Sequence, residues 1–287
     1  MKLNVRSKFN LHGLCGGKLL VLVSLLFMAT MVFSSHISGV SGWRYIDVFV
    51  EGEAELREAI SAAPDNEGYA IAIWKGDIVL EEPLVIPEGK IISFASDGVY
   101  LFGPNGMDTI IVKSGGQLSI FEGVVVAHAD GDVGRGLYVE CGGVLILYDG
   151  GVISGNTVTH NGGGVCNAGV FIMYGGEILN NAAVNGGGVY NTGNFTICNG
   201  KISQNVANYG GGVYSKGFFT LTGGEIINNN SGVYHESGTF DRVGGVIKDN
   251  EFYDVHYVEN ELFNGEGLFG GSYWWVYLLS IGFVVSF

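Results

Sequence analysis

The feature that most restricts this chain is a recurring phrase. Gly-Gly-Gly-Val occurs at 162–165, 186–189 and 210–213, spaced by 24 residues each time. Whole columns match in the same register. Phe171, Phe195 and Phe219 share one column, and Phe240 continues it. Met173, Ile197 and Leu221 form the next alternate column, and Ile153, Ile178, Ile202, Ile226 and Ile247 a third. Self-similarity at a period of 20–50 residues marks an architecture of stacked units. Within a unit the apolar residues alternate, as in Phe195-Thr196-Ile197, which is a strand period. Glycines interrupt every few residues and leave no room for a ten-residue helix. Each unit is therefore about three short strands joined by turns, one coil of a parallel β-helix. Equivalent side chains then stack ~4.8 Å apart, the interstrand distance.

Three residues after each isoleucine of the third column stands an asparagine: Asn156, Asn181, Asn205, Asn229 and Asn250. Asparagine tolerates the left-handed backbone of tight turns, and stacked amides bond their neighbours along a column. The spacing predicts a buried asparagine ladder. Glu177, Lys201 and Glu225 form an outward column of alternating sign in the same register, worth about 0–1 kcal/mol per pair when exposed.

These repeats, with their Gly-Gly-Glu-Ile-x-Asn-Asn continuation, resemble the right-handed parallel β-helix repeats of the pectin-lyase-like superfamily. They resemble above all the adhesin-like and polymorphic-outer-membrane-protein-like repeats of microbial surface proteins. The resemblance covers roughly residues 45–254. It implies a fold more than an activity, because that superfamily holds lyases, hydrolases and non-catalytic surface proteins. The expected fold is all-β: a single right-handed parallel β-helix of about 7–8 coils, with a short N-terminal capping helix and apolar helices at the termini.

The ends carry address signals. Residues 1–41 hold Lys2, Arg6, Lys8 and Lys18 and no acid, with an uncharged run from Leu19 to Phe33. This is the pattern of a signal peptide or an N-terminal signal anchor. Residues 42–68 are expected to cap the helix. Glu53 to Ala63 places Leu56, Ile60 and Ala63 on one helical face, acids lie at its start, and Pro64 ends it. Such a cap covers strand edges that would otherwise be bare. The β-helix is expected over 69–254, with turns at Lys75-Gly76, Glu88-Gly89 and Asp97-Gly98. Residues 255–287 read as an acidic linker followed by a membrane segment at 267–287, with Trp274, Trp275 and Tyr277 suited to an interface.

The net charge of −14 becomes −18 once residues 1–41 are set aside. Such a body excludes nucleic acid as a partner and suits an exported, self-repelling protein. Cys141, Cys166 and Cys198 have no metal-ligand spacing and read as small core or turn residues. No cofactor is expected. His160, His235 and His256 are scattered and predict no metal site.

Two groups could carry function. The loop His128-Ala129-Asp130-Gly131-Asp132, with Arg135 and Glu140, could hold Ca²⁺ through Asp130 and Asp132 or pair them as acid and base on a sugar. It also reads as an ordinary polar turn. The second group is a column of tyrosines, Tyr138, Tyr190, Tyr214 and Tyr234, interrupted once by Cys166. Each follows an inward aliphatic and so points outward. Stacked exposed aromatics can hold sugar rings or a partner surface, or can simply shield the sheet. The functional expectation is an exported adhesin-like or structural surface protein, anchored in a membrane or secreted. It would bind a surface glycan or a host or neighbour-cell protein. The alternative is a polysaccharide lyase or glycoside hydrolase on the same fold.

Overall fold

The computed structural model describes residues 46–258. Three parallel sheets wind around one interior as a right-handed parallel β-helix of about nine turns. The chain passes from a tyrosine-bearing sheet (eight strands, Leu84–Ile86 to Val255–Tyr257) to a phenylalanine-bearing sheet (nine strands, Val48–Val50 to Thr239–Arg242). It then enters an isoleucine-bearing sheet (eight strands, Ile78–Val79 to Val246–Lys248) and returns. A two-stranded ribbon, Ala182–Asn185 with Val206–Tyr209, bulges from two of the return loops. The turn count exceeds the expected 7–8. Pairing begins at Val48, before the sequence repeat is legible, and runs past Asn250 to Tyr257.

The columns are real files of side chains. Phe171, Phe195, Phe219 and Phe240 stack with centroids 4.8, 5.2 and 4.7 Å apart and planes within 11°. Ile153, Ile178, Ile202, Ile226 and Ile247 pair one-to-one. The first four are fully buried, as are Phe171, Leu145 and Val189. Each such side chain contributes roughly 1.5–3 kcal/mol by leaving water.

Asn156, Asn181, Asn205 and Asn229 are buried, and each donates from Nδ2 to the next Oδ1, Asn229 to Asn250, at 2.9–3.0 Å. Each of the four also donates its backbone N–H to that same oxygen. The left-handed residue of the turn is the one before the ladder asparagine: Gly155, Asn180, Gln204, Asn228 and Asp249 have φ of 56–69°. The ladder asparagine is kept for its amide, and its neighbour takes the αL strain. A second internal file lies at another corner, where Asn167 bonds Asn191 at 2.8 Å and Asn191 bonds Ser215 at 3.1 Å. It starts under Val139, so Asn167 Oδ1 has no partner.

The glycine triplets have a steric cause. Gly186 has φ +65°, and a Cβ on Gly187 would lie 2.5 Å from the Val206 carbonyl oxygen. The chain turns at the first glycine and passes the adjoining coil too closely for any side chain at the second.

The N-terminal helix spans Glu53–Ala62 and buries Leu56, Ala59 and Ile60 against the first coils. Arg57 holds Glu53 and bonds the Pro83 carbonyl at 3.1 Å, tying the helix to a coil. The leader at 1–41, the membrane segment at 267–287 and both terminal apolar helices lie outside the described residues. Among the described residues no helix is long and apolar enough to cross a membrane.

Candidate tyrosine face and its neighbours

The tyrosine column occupies the outer side of its sheet. Backbone pairing places Tyr138, Cys166, Tyr190, Tyr214, Tyr234 and His256 in one file. Their partners Leu137, Val165, Val189, Val213 and Val233 are fully buried on the other side. The strand period of two thus sets both the core and the outward file. Tyr190, Tyr214 and Tyr234 stack 5.2 and 5.1 Å apart with planes within 15°, and His256 adds a ring at 4.8 Å. His256, scattered in the sequence, is thus the continuation of the tyrosine file. Tyr214 is buried by its neighbours at 7% exposure, whereas Tyr138, Tyr190 and Tyr234 are half-buried and His256 is exposed. Burial raises the Tyr190 and Tyr234 hydroxyls above their ordinary titration range, so both stay neutral donors.

Cys166 breaks the stack and carries no ring. It faces outward beside Tyr138, so it is not a core residue, and burial raises its thiol. Cys141 and Cys198 sit in the connections after Leu137–Val139 and Asn194–Ile197.

Near this end lies a charged cluster that the sequence did not reveal. Arg135 is 5.3 Å from the Tyr138 ring centroid, reaches Asp108 at 3.3 Å and bonds His160 Nε2 at 3.0 Å. Its Nε is buried without a partner. Burial raises the Asp108 carboxyl, against the attraction of Arg135, His160 and His128. Asp108 and Arg135 are 27 residues apart, in the coils whose spacing departs from 24, so no alignment of repeats joins them.

The polar loop divides. His128 is buried, and its Nδ1 meets Asn156 Oδ1 at 2.9 Å while Nε2 meets the Met107 carbonyl at 3.0 Å. It is the first member of the asparagine ladder. Gly134 is required beside it, since a Cβ there would fall 2.0 Å from Nε2. Asp130 is exposed and Asp132 half-buried. Among the described residues no group of three or more His, Cys, Asp or Glu side chains could hold a metal ion.

The corner between the phenylalanine and isoleucine sheets carries two further features. Phe121, Tyr148 and Tyr174 stack externally at 4.3 and 5.6 Å, and burial pushes Tyr148 up to about 12. Beside them runs a shallow groove of about 830 Å³, lined by Asp149, Asn199, Gly176, Gly200, Gly224 and the file Glu177–Lys201–Glu225. That file has the expected register. No ion pair within 4 Å joins Lys201 to either glutamate among the described contacts. The sequence shows the charged column but not the concavity, which arises because the preceding file is glycine.

Comparison with protein-family models, with curated proteins and with solved structures finds no match to this chain. The fold and the surfaces above therefore carry the functional argument alone.

Proposed function

We propose that this is an exported cell-surface protein, adhesin-like or structural, that binds a surface glycan or a partner protein through its long outer faces. The observation that carries this reading is the tyrosine file. Three tyrosines and a histidine form a rigid aromatic strip, held by strands whose other side is core. Aromatic faces that are already ordered cost little further entropy when a sugar ring or apolar side chain settles on them. The neutral Tyr190 and Tyr234 hydroxyls supply hydrogen bonds at the edges. Residues 1–41 would direct export, and residues 267–287 would hold the rod at a membrane.

The groove favours a second reading, a carbohydrate-active enzyme. Glu177 and Glu225 are two strand steps apart in one file, ~9.6 Å at the backbone, near the carboxyl separation of inverting glycosidases. Both are exposed, and Lys201 stands between them. Such enzymes set one carboxyl apart from the other by its environment, whereas these two flank the same lysine, one strand step away on either side. The binding reading is therefore the stronger.

The test is a glycan array with the purified full chain, alongside polysaccharide turnover with and without Ca²⁺. Binding that is lost in Tyr190→Ala and Tyr234→Ala supports the proposal. Turnover abolished by Glu177→Gln or Glu225→Gln selects the second reading. Binding indifferent to both tyrosines removes the basis of the first.

A further inference from the structure

Four asparagine–glycine pairs stand among the described residues: Asn105-Gly106, Asn161-Gly162, Asn185-Gly186 and Asn199-Gly200. An asparagine side chain is an electrophile for its own backbone. The nitrogen of the following residue can attack the side-chain carbonyl carbon, and a glycine there, with no Cβ, leaves the approach unobstructed. What separates the four pairs is how the fold holds each attacking nitrogen and each amide.

Three of the pairs are tied. Gly106 donates its N–H to the Val133 carbonyl at 2.6 Å, Gly162 to that of Asn185 at 2.9 Å and Gly186 to that of Tyr209 at 3.0 Å. Their asparagine amides are held as well. Asn105 Oδ1 accepts from the Val133 N–H at 3.1 Å, and Asn185 Nδ2 donates to Asn161 Oδ1 at 2.9 Å. Each of these glycines links one coil to the next, so its nitrogen cannot turn on the side chain until that link opens. Asn199-Gly200 differs. Asn199 is exposed, and among the described contacts neither its side chain nor the Gly200 N–H makes a hydrogen bond. The repeat gives the reason. Gly162 and Gly186 open glycine triplets whose N–H groups join the coils. Gly200 is instead the left-handed residue of a turn (φ +97°) whose coil-to-coil bonds are made by its neighbours, Asn199 to Met173 at 3.3 Å and Lys201 to Gly176 at 3.0 Å.

We propose that Asn199 is a site of spontaneous modification by water, where the folded rod loses a side-chain amide. The Gly200 nitrogen attacks Asn199 Cγ and gives up its proton. The Cγ–Nδ2 bond breaks, and ammonia leaves with that proton. The five-membered imide that remains takes up one water at either carbonyl and opens to aspartate or to its β-linked isomer. No electron is gained or lost, and water is the sole co-reactant. The new carboxylate lies in the groove. Its lining of Asp149, Glu177 and Glu225 against Lys201 becomes four acids against one base. The reaction is thus a slow, one-way increase in the groove's negative charge. It does not rest on the proposed binding function.

Peptide mass mapping of the full chain, after incubation at neutral pH, tests this beside a sample unfolded in urea. In the folded protein Asn199 should convert at least ~10-fold faster than Asn105, Asn161 or Asn185, because those three must first break bonds between coils. In urea the four should react alike, since each is followed by glycine. Asn199→Gln should stop the mass gain of the peptide that carries it, which excludes Asn194 and Asn205 as its source. An Asn199 that stays intact in the folded protein overturns the proposal. So does a tied pair that converts as fast, or a mass gain that persists in Asn199→Gln. The same ranking of the four sites with and without urea also overturns it, because the cause would then lie in the local sequence and not in the fold.

Discussion

Replacing Asn205 with alanine tests the polar half of the fold at its centre. Asn205 Oδ1 accepts two bonds from Asn181, from its backbone N–H and its Nδ2, each at 3.0 Å. Its own Nδ2 donates to the Ile178 carbonyl at 2.9 Å and to Asn229 Oδ1 at 3.0 Å. Alanine removes all four and leaves the buried Asn181 N–H with no acceptor. An orphaned buried donor costs ~1–3 kcal/mol and each of the three remaining bonds a net ~0.5–1.5 kcal/mol, so the loss should be about 2.5–7.5 kcal/mol. The exposed turn residue Asn199, changed to alanine, should stay within about 0.5 kcal/mol. Urea unfolding followed by circular dichroism measures both. The double variant Asn181→Ala with Asn205→Ala should cost less than the two singles added, by about 0.5–1.5 kcal/mol, since both singles break the same Nδ2–Oδ1 bond. If Asn205→Ala loses under 1 kcal/mol, or the singles add, the ladder is not an energetic unit and the reasoning fails.

Other perturbations separate the remaining causes. Gln204 holds φ +58°, so Gln204→Gly should be neutral or stabilising by up to about 1 kcal/mol, while Gln204→Val should cost ~1–2 kcal/mol; thermal melting distinguishes them. Gly187→Ala forces a Cβ to 2.5 Å from the Val206 carbonyl oxygen, and should cost about 1–3 kcal/mol in the same assay. The Asp108 carboxyl is raised from 3.8 by burial. Its folded form binds a proton more tightly than the unfolded chain, so the stability it contributes is full below pH 3.8 and is lost as pH rises through the raised value. Asp108→Asn should therefore gain on the native protein in melting temperature as pH is taken from 3.5 to 7; a flat difference would refute this. Tyr190→Ala and Tyr234→Ala should each weaken a bound glycan by at least ~10-fold while leaving far-ultraviolet circular dichroism unchanged.

How much of this was legible in the sequence depends on which side of the strand a residue faces. Phe195, Ile202 and Asn205 each sit inside, where an equivalent residue above and below must match in size or in amide chemistry. That demand writes the 24-residue period into the chain, and the ladders follow from it. The first coils were harder. Their files mix Ile71, Phe94 and Ile120, which fill the core together without being identical, so the sequence places Val48–Val50 in the cap at 42–68 and not in the first coil. His128 looks like a loop residue in the sequence because nothing in its spacing announces that an imidazole could begin a file of amides.

The outer faces obey a weaker rule. A file such as Glu177–Lys201–Glu225 needs only to avoid clashes, and exposed pairs are worth too little to enforce a pattern. Tyr190–Tyr214–Tyr234 is regular for a different reason, since ring stacking adds about 0.5–1.5 kcal/mol per contact whether or not a ligand lies on top. Periodicity on the surface is therefore ambiguous where periodicity in the core is not. What distinguishes a binding strip from a shielding one is a gain that the fold does not need. The exposed His256 ring, stacked on Tyr234 as the last described member of the file, is the place to look for it. If His256→Ala leaves melting unchanged but weakens a ligand that Tyr234→Ala also weakens, the strip extends its stack for recognition. If it lowers melting and touches no binding, the tyrosines are cladding for the sheet beneath.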